Sequence, residues 1–355
     1  MITEIGVKFL INEQFGRQEH QIYNSLRQQI EEKFPLGNNL LVNMTWFGPQ
    51  FNNLTWPSIN QLINENKSFD RIFWIDIIDP VTLLPDQISD LENKLQVKEK
   101  YYIGTAFTGK YSFNTASIVC YEDFPTYSES DLSLIKVEFL YLNYNRKPKP
   151  HRIRMVELLH EHNLEKHGII TLGKNDAAYD VSQGKTTTFH LTVDDAIDGT
   201  HGGKFPKQTT FGSFGGVPYD LCSLGNINIW QNHFLNIVSE TEFLPWDTVF
   251  VTEKTLKPII GLRPFVINGQ TTVYQWLRDC GFKTFNHYFN GIELEDIKEF
   301  EVHDAIINVV KYLVTLDQKE ITAMYNDMLP DLKHNRNRFF EFAQEQKYKI
   351  EHLFE

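Results

Sequence analysis

The chain has 355 residues, 41% of them hydrophobic, and a formal net charge of −12 at pH 7. This length and apolar content suffice for two domains with separate cores. The acidic balance disfavours global attraction to nucleic acid or to an anionic membrane, although a local basic patch can still bind phosphate.

Strand and helix patterns alternate over residues 1–125, which is typical of a doubly wound α/β domain. A helix over residues 19–34 is indicated by Ile22, Leu26 and Ile30, which share one helical face. The predicted strands cover residues 7–11, 40–47, 71–78, 101–105 and 117–121, and two further helices cover residues 58–65 and 86–95.

Two carboxylates, Asp76 and Asp79, come at the end of the third predicted strand. An Asp-x-Asp pair at such a place holds a divalent metal against a diphosphate, but the spacing here is Asp-x-x-Asp and Pro80 favours a turn that Asp79 caps. A general base that takes a proton from an acceptor hydroxyl is the preferred role, with Asp76, Asp79, Glu122 and Asp123 as candidates. We therefore predict no metal site.

Residues 126–134 are polar and lack periodicity, which favours a linker between two domains. A strand over residues 136–144 follows and ends in a basic loop before the next helix. Cations at a helix N-terminus oppose the helix dipole, so a phosphate cradle explains them better than a solvated surface does. Arg146 and Arg152 are the preferred phosphate ligands, because guanidinium groups match phosphate oxygens. The loop comprises Asn145, Arg146, Lys147, Lys149, His151, Arg152 and Arg154.

Another strand is predicted over residues 168–172, before a glycine-rich region over residues 173–226. This region is too long for an ordinary connection, so we expect an insertion that covers the site or contacts the acceptor. Its glycines match no phosphate-binding P-loop.

A strand over residues 234–238 leads into Glu240 and Glu242. After a polar loop, Thr252 is the predicted N-cap of a helix that starts with Glu253 and Lys254. At the carboxyl edge of a parallel sheet, such a lysine neutralises phosphate and such a glutamate accepts both hydroxyls of a ribose. The alternative is that Glu253 only stabilises the first helical turn.

A strand over residues 265–267 and helices over residues 272–280 and 304–316 follow. Residues 319–355 are predicted to be helical with an interruption at Pro330. We expect the last segment, residues 331–355, to pack back on the first domain, with a cap on the second domain as the alternative.

The run Phe250-Val251-Thr252-Glu253-Lys254, followed by Arg263-Pro264-Phe265-Val266-Ile267, resembles the donor-nucleotide motif of GT-B glycosyltransferases. The likeness is to the α1,3-fucosyltransferase and exostosin-like groups, and residues 277–285 extend it. The resemblance implies two Rossmann-like domains facing across a cleft, residues 1–125 and 135–330. It also implies that Glu253 and Lys254 contact a nucleotide sugar.

The expected activity is therefore glycosyl transfer to a hydroxyl from a UDP- or GDP-sugar, with no tightly bound cofactor. By resemblance the transfer is inverting and metal-independent. A carboxylate of the first domain deprotonates the acceptor, and cations of the second domain stabilise the departing diphosphate. The donor-binding residues predicted are Asn145, Arg146, Arg152, Glu240, Glu242, Thr252, Glu253 and Lys254.

The acceptor is a glycan or a lipid-linked sugar in the first interpretation. In the second, the chain is a phage-type enzyme that glycosylates hydroxymethylated bases in DNA. Such an enzyme needs a basic track, for which Lys110, the basic loop, Lys204 and Lys207 are available. A non-catalytic nucleotide-binding or interaction protein on the same fold is the third.

Localisation follows from what the sequence lacks. No run of about eighteen apolar residues occurs, so no transmembrane helix is expected. The first residues lack the basic region and cleavage site of a signal peptide, and we expect a cytoplasmic location. Cys120, Cys222 and Cys280 are scattered without metal-ligand spacing, which favours reduced thiols.

Overall fold

The computed structural model describes residues 2–6, 17–44, 56–77, 85–105, 109–123, 126–145, 149–172, 224, 227–243 and 249–355. The chain is a mixed α/β protein with two parallel sheets and a long C-terminal helix. The strands are β1 (Ile2–Gly6), β2 (Asn39–Asn43), β3 (Arg71–Asp76), β4 (Glu99–Gly104), β5 (Phe139–Asn145), β6 (Gly168–Leu172), β7 (His233–Ser239) and β8 (Phe265–Asn268). The helices are α1 (Arg17–Lys33), α2 (Trp56–Asn64), α3 (Pro85–Lys94), α4 (Thr115–Asp123), α5 (Glu129–Leu132), α6 (Pro150–Glu161), α7 (Ile227–Asn232), α8 (Glu253–Ile260), α9 (Thr272–Asp279), α10 (Val302–Val314) and α11 (Gln318–Glu351).

The chain divides into two compact units. The first unit contains Met1–Val119 and Ala343–Glu355, and the second contains Cys120–Phe342. Both divisions fall inside helices, one in α4 and one in α11. Residues 126–134, the predicted linker, belong to the second unit, where Ser128 and Asp131 form a capping box at the start of α5.

The first sheet has the strand order β1-β2-β3-β4, and every pair is parallel. Successive residues of its strands point to opposite faces. On one face Leu41, Phe73 and Ile103 pack in a core with residues of α1 and with Phe354 from the end of the chain. The other face has its own core, formed by Leu40, Val42, Ile72 and Trp74 with Ile59 of α2 and Ile88, Leu91 and Leu95 of α3. Both faces are therefore buried, as expected for a parallel sheet.

Two sequence predictions for secondary structure are wrong. Residues 117–121 are helical in α4, because Asn114 caps this helix: its Oδ1 accepts the Ser117 backbone N–H at 2.8 Å. Helix α11 also continues through Pro330 without the predicted interruption. The predicted strand over residues 7–11 lies outside the described residues, and β1 precedes it.

The second sheet has the order β6-β5-β7-β8, again with every pair parallel. In chain order, β5 is followed by β6 on one of its sides, and then by β7 and β8 on its other side. The strand order therefore reverses between β5 and β7. In open α/β sheets ligands bind outside the carboxyl ends of the strands at such a switch point. Among the described strands of the first sheet, no reversal of this kind occurs.

Arg263 connects several elements around the second sheet through buried hydrogen bonds. Its side chain is fully buried, and it donates to the carbonyl oxygens of Leu132 and His233 at 2.8 and 2.9 Å, to that of Trp230, and to the Tyr325 hydroxyl at 3.1 Å. Burial lowers the pKa of Arg263 to about 10. Arg263, a residue of the motif that resembles the donor site, is therefore a structural residue here.

A transmembrane segment would need a long apolar helix, and none of the described helices has both the length and the hydropathy to span a bilayer.

Candidate functional site

The candidate site lies at the carboxyl edge of the second sheet, beside the switch point between β5 and β7. Lys149 follows β5, Thr241 and Glu242 follow β7, and Glu253 and Lys254 begin α8. We call these five residues the two-lysine cluster. They come from three segments that are distant in sequence, and the parallel sheet brings the segments together.

Thr241 joins both lysines. The ammonium group of Lys149 donates to the Thr241 carbonyl oxygen at 2.7 Å and to Glu242 Oε1 at 3.2 Å. The ammonium group of Lys254 donates to Thr241 Oγ1 at 3.3 Å and to Glu253 Oε1 at 2.7 Å. The four charged side chains are 18–28% exposed, so a ligand can reach them from solvent.

The charges of the cluster balance, with two ammonium groups against two carboxylates. Burial lowers the pKa of Lys149, the adjacent Glu242 opposes that change, and Arg152 and Lys254 add to it. Such a group of charges offers N–H donors to phosphate oxygens and carboxylate oxygens to hydroxyls. It is chemically suited to a ligand that carries both phosphate and sugar hydroxyls.

Glu240 connects the segments of the site through buried hydrogen bonds. Its side chain is fully buried, and each carboxylate oxygen accepts two hydrogen bonds. Oε1 accepts from the Thr252 backbone N–H at 3.1 Å and the Thr255 hydroxyl at 2.6 Å. Oε2 accepts from the Thr241 backbone N–H at 3.1 Å and the Thr252 hydroxyl at 2.6 Å. Glu240, predicted to contact the donor, therefore links the end of β7 to the start of α8 in this structure.

Thr252 is the N-cap of α8, as the sequence predicts, because its Oγ1 accepts the Lys254 backbone N–H at 3.3 Å. Its hydroxyl also donates to Glu240, and the residue is buried. Thr252 thus fixes the position from which Glu253 and Lys254 project, and it does not itself face solvent.

Two of the residues predicted to bind the donor are buried beneath the cluster. Arg152 donates from Nη2 to the Glu240 carbonyl oxygen at 2.8 Å. Asn145, the last residue of β5, donates from Nδ2 to Asn143 Oδ1 at 2.7 Å. Asn143 in turn donates to Ser239 Oγ at 3.2 Å, so amide and hydroxyl groups connect the strand ends. Arg146, the other preferred phosphate ligand, lies outside the described residues.

The candidate general bases are distributed over both units. Asp76 is the last residue of β3 in the first unit and is fully buried, and the backbone of Gly104 in β4 packs against its carbonyl group. Glu122 is exposed near the end of α4, in a part of that helix assigned to the second unit. Asp79 lies outside the described residues.

The basic track predicted for DNA includes three lysines outside the basic loop. Lys110 is exposed, with its ammonium 5.3 Å from the centre of the Tyr111 ring. Lys204, Lys207 and nearly all of the predicted insertion lie outside the described residues. Within the described part of the chain, no group of three or more histidine, cysteine or acidic side chains is arranged to hold a metal ion.

The sequence analysis assigned no separate role to two residues of the site, Lys149 and Thr241. Lys149 was one cation among several in the basic loop, and Thr241 attracted no prediction. A signal for Lys149 does exist: proline at the first helical position fixes a helix start, and Pro150 therefore places Lys149 at the N-cap of α6. The role of Thr241 depends on distances between segments, which no local pattern contains.

Neither a family model nor a curated protein matches the chain. Among solved structures, the chain is similar to a chain of the "Crystal structure of GtfA/B complex", with a TM-score of 0.27 and 10% sequence identity. The similarity covers 93% of this chain and 61% of that chain, so this chain spans less than two thirds of that protein's length. A likeness of this size assigns no family.

Proposed function

We propose that the chain is a glycosyltransferase of the GT-B type that binds its nucleotide-sugar donor at the two-lysine cluster. One observation carries the proposal: two partly exposed lysines are bound to the same threonine, beside the switch point of a parallel sheet. Ligand phosphates are favoured at this edge, where the helix N-terminus of α8 adds its dipole to the charge of the lysines.

In this proposal the residues of the site are either ligand contacts or scaffold. Lys254 and Lys149 bind the diphosphate of a UDP- or GDP-sugar, with Arg146 as a further cation. Glu253 accepts hydrogen bonds from the ribose hydroxyls, and Glu242 accepts them from the hydroxyls of the transferred sugar. The scaffold consists of Asn145, Arg152, Glu240 and Thr252, which are buried beneath these contacts.

In the proposed reaction the acceptor oxygen forms a bond to the anomeric carbon while the bond from that carbon to the diphosphate breaks. The acceptor proton passes to a carboxylate, for which Asp76, Asp79 and Glu122 are the candidates. The bonding electrons leave with the diphosphate, whose negative charge the two lysines stabilise. The transfer proposed is inverting and needs no metal. The acceptor proposed is a glycan or a lipid-linked sugar.

Calorimetric titration with UDP, GDP and their sugars, in EDTA and again in Mg²⁺, tests the donor site. We expect one nucleotide to bind without metal, and Lys254→Met or Lys149→Met to weaken it about tenfold or more, since each removes a charged phosphate contact. Arg154→Met is the matched control, because Arg154 is a cation within α6, close in sequence to Lys149, and pairs with Glu161 at 2.8 Å. Absence of binding by every nucleotide would refute the proposal.

A second measurement separates an enzyme from a binding protein. Release of nucleoside diphosphate is followed with glycan acceptors in one arm and hydroxymethylated DNA in the other. Release that depends on one acceptor supports transfer and identifies the acceptor class. Tight binding without release in either arm would instead support the non-catalytic nucleotide-binding protein.

A further inference from the structure

Phe243 lies between two histidine rings, next to the two-lysine cluster. Its ring stacks on His151 with a centroid distance of 5.2 Å and an angle of 17°, and on His303 with 5.0 Å and 12°. The three rings come from helix α6, from the segment after β7, and from helix α10. We call them the aromatic sandwich.

Hydrogen bonds connect the sandwich to the backbone of the site. Nε2 of His303 donates to the carbonyl oxygen of His151 at 3.0 Å, and Nε2 of His151 donates to the carbonyl oxygen of Glu240 at 2.9 Å. Because both acceptors are carbonyl oxygens, each histidine carries a proton on Nε2. The outer two rings are therefore fixed to each other and to the end of β7.

The segment from Glu240 to Phe243 is thus held at both ends. At one end, the carboxylate of Glu240 accepts four hydrogen bonds. At the other end, the Phe243 ring is clamped between the two histidines. Only Thr241 and Glu242 lie between these ends, and each of them accepts a hydrogen bond from a lysine of the cluster. Fixing a short segment at both ends removes most of its conformational freedom before a ligand arrives.

We propose that Phe243 is a positioning residue of the two-lysine cluster, which holds Thr241 and Glu242 where both lysines can bind them. None of the lysine hydrogen bonds described above involves Phe243. It acts instead through the backbone of the two residues before it, Thr241 and Glu242. Its consequence for ligand affinity rests on the proposed function, but its effect on the lysines does not. The aromatic sandwich is then part of the binding site, although its His303 ring belongs to a helix more than fifty residues further along the chain.

Chemical labelling tests the position of the lysines without any ligand. The ligand-free protein is treated briefly with acetic anhydride, and mass spectrometry gives the acylation rates of Lys149 and Lys254, with the exposed Lys319 as internal reference. In Phe243→Leu we expect Lys149 to be acylated about threefold or more faster, because it loses fixed partners. Phe243→Tyr keeps an aromatic ring and is expected to restore the rate of the native protein.

Two further variants distinguish positioning from general stability. His303→Leu removes one of the two outer rings, whose hydrogen bond goes to His151 and not to the cluster, and is also expected to accelerate acylation of Lys149. Phe282→Leu is the matched control: Phe282 is buried in the same unit, and its ring centre lies 5.8 Å from that of Phe342 in α11, which is not a residue of the cluster. It is expected to lower the melting temperature without changing the labelling of either lysine.

Titration of the same variants with UDP adds the functional readout. We expect Phe243→Leu to weaken UDP about fivefold or more, and Phe243→Tyr to bind as the native protein does. Unchanged labelling of Lys149 in both Phe243→Leu and His303→Leu would overturn the inference, and so would an equal change in Phe282→Leu. If labelling changes as expected but the native protein binds no nucleotide, the proposed function fails and the positioning role stands.

Discussion

Glu240→Gln and Glu242→Gln make the same chemical change two residues apart, and the structure predicts very different costs. The carboxylate of Glu240 is fully buried and accepts four hydrogen bonds, two of them from the backbone N–H groups of Thr252 and Thr241. These two N–H groups approach different oxygens. Whichever oxygen the amide NH₂ of glutamine replaces, a donor then faces a backbone N–H that can only donate.

The expected loss of stability in Glu240→Gln comes from the backbone N–H that loses its acceptor. One buried backbone N–H left without an acceptor costs about 1–3 kcal/mol, and the remaining bonds lose the extra strength that a charged acceptor gives. We expect Glu240→Gln to lower the free energy of unfolding by about 3–5 kcal/mol. Glu242 is 25% exposed and has one ion pair, with Lys149. Its replacement by glutamine should cost only about 0–1 kcal/mol.

Urea unfolding followed by circular dichroism measures the two differences, and hydrogen exchange at the Thr252 amide locates the effect. Glu240→Gln should shift the midpoint strongly and speed exchange at Thr252, whereas Glu242→Gln should do neither. Equal stability of the two variants would show that the buried carboxylate does not link β7 to α8 as described. The predicted separation of scaffold from ligand contacts would then fail as well.

Acid should destabilise the fold from about pH 6.5 downward, because burial lowers the pKa of both His151 and His233 to about 3. Between about pH 6.5 and about pH 3 these histidines are protonated in the unfolded chain but neutral in the native one. Each histidine therefore lowers the free energy of unfolding by about 1.4 kcal/mol for every pH unit of acidification in that range. His233→Gln should reduce the measured slope. Gly104→Ala should disrupt the first unit, since a Cβ there overlaps the carbonyl group of Asp76, and Gly109→Ala is its control, with a similar positive φ and open space around it. Thermal unfolding of the two alanine variants isolates the overlap from the backbone strain, and similar losses would contradict this account.

Local patterns predicted much of the second unit. The strand over residues 234–238 lies within β7, and Thr252 caps α8, because apolar runs and capping residues act over a few neighbouring positions. The strand predicted over residues 117–121 failed, since a short apolar run fits a buried helix equally well, and the cap at Asn114 decided for the helix.

The roles of charged residues were harder to predict than the elements that carry them. Arg152 and Lys149 stand three positions apart in one basic loop, and their types favour the guanidinium as the phosphate ligand. In the folded chain Arg152 points under the strand ends to the Glu240 carbonyl oxygen, whereas Lys149 reaches Thr241 and stays partly exposed. Which of two neighbouring cations faces solvent depends on tertiary packing, so the sequence could not decide it.

The resemblance to a donor-nucleotide motif and the two-lysine cluster are separate arguments, because they share only part of their residues. Within the motif, Thr252 and Arg263 are buried and hold the fold together, so a protein that kept the fold but lost the ligand would need both of them. Lys149 and Thr241 lie outside the motif, so their contact is an observation that the resemblance does not supply. Under the proposed function, Lys149 and Lys254 meet at Thr241 and provide two cations for an anionic ligand. The effect of Lys149→Met on nucleotide affinity is for this reason the strongest single test of the proposed site.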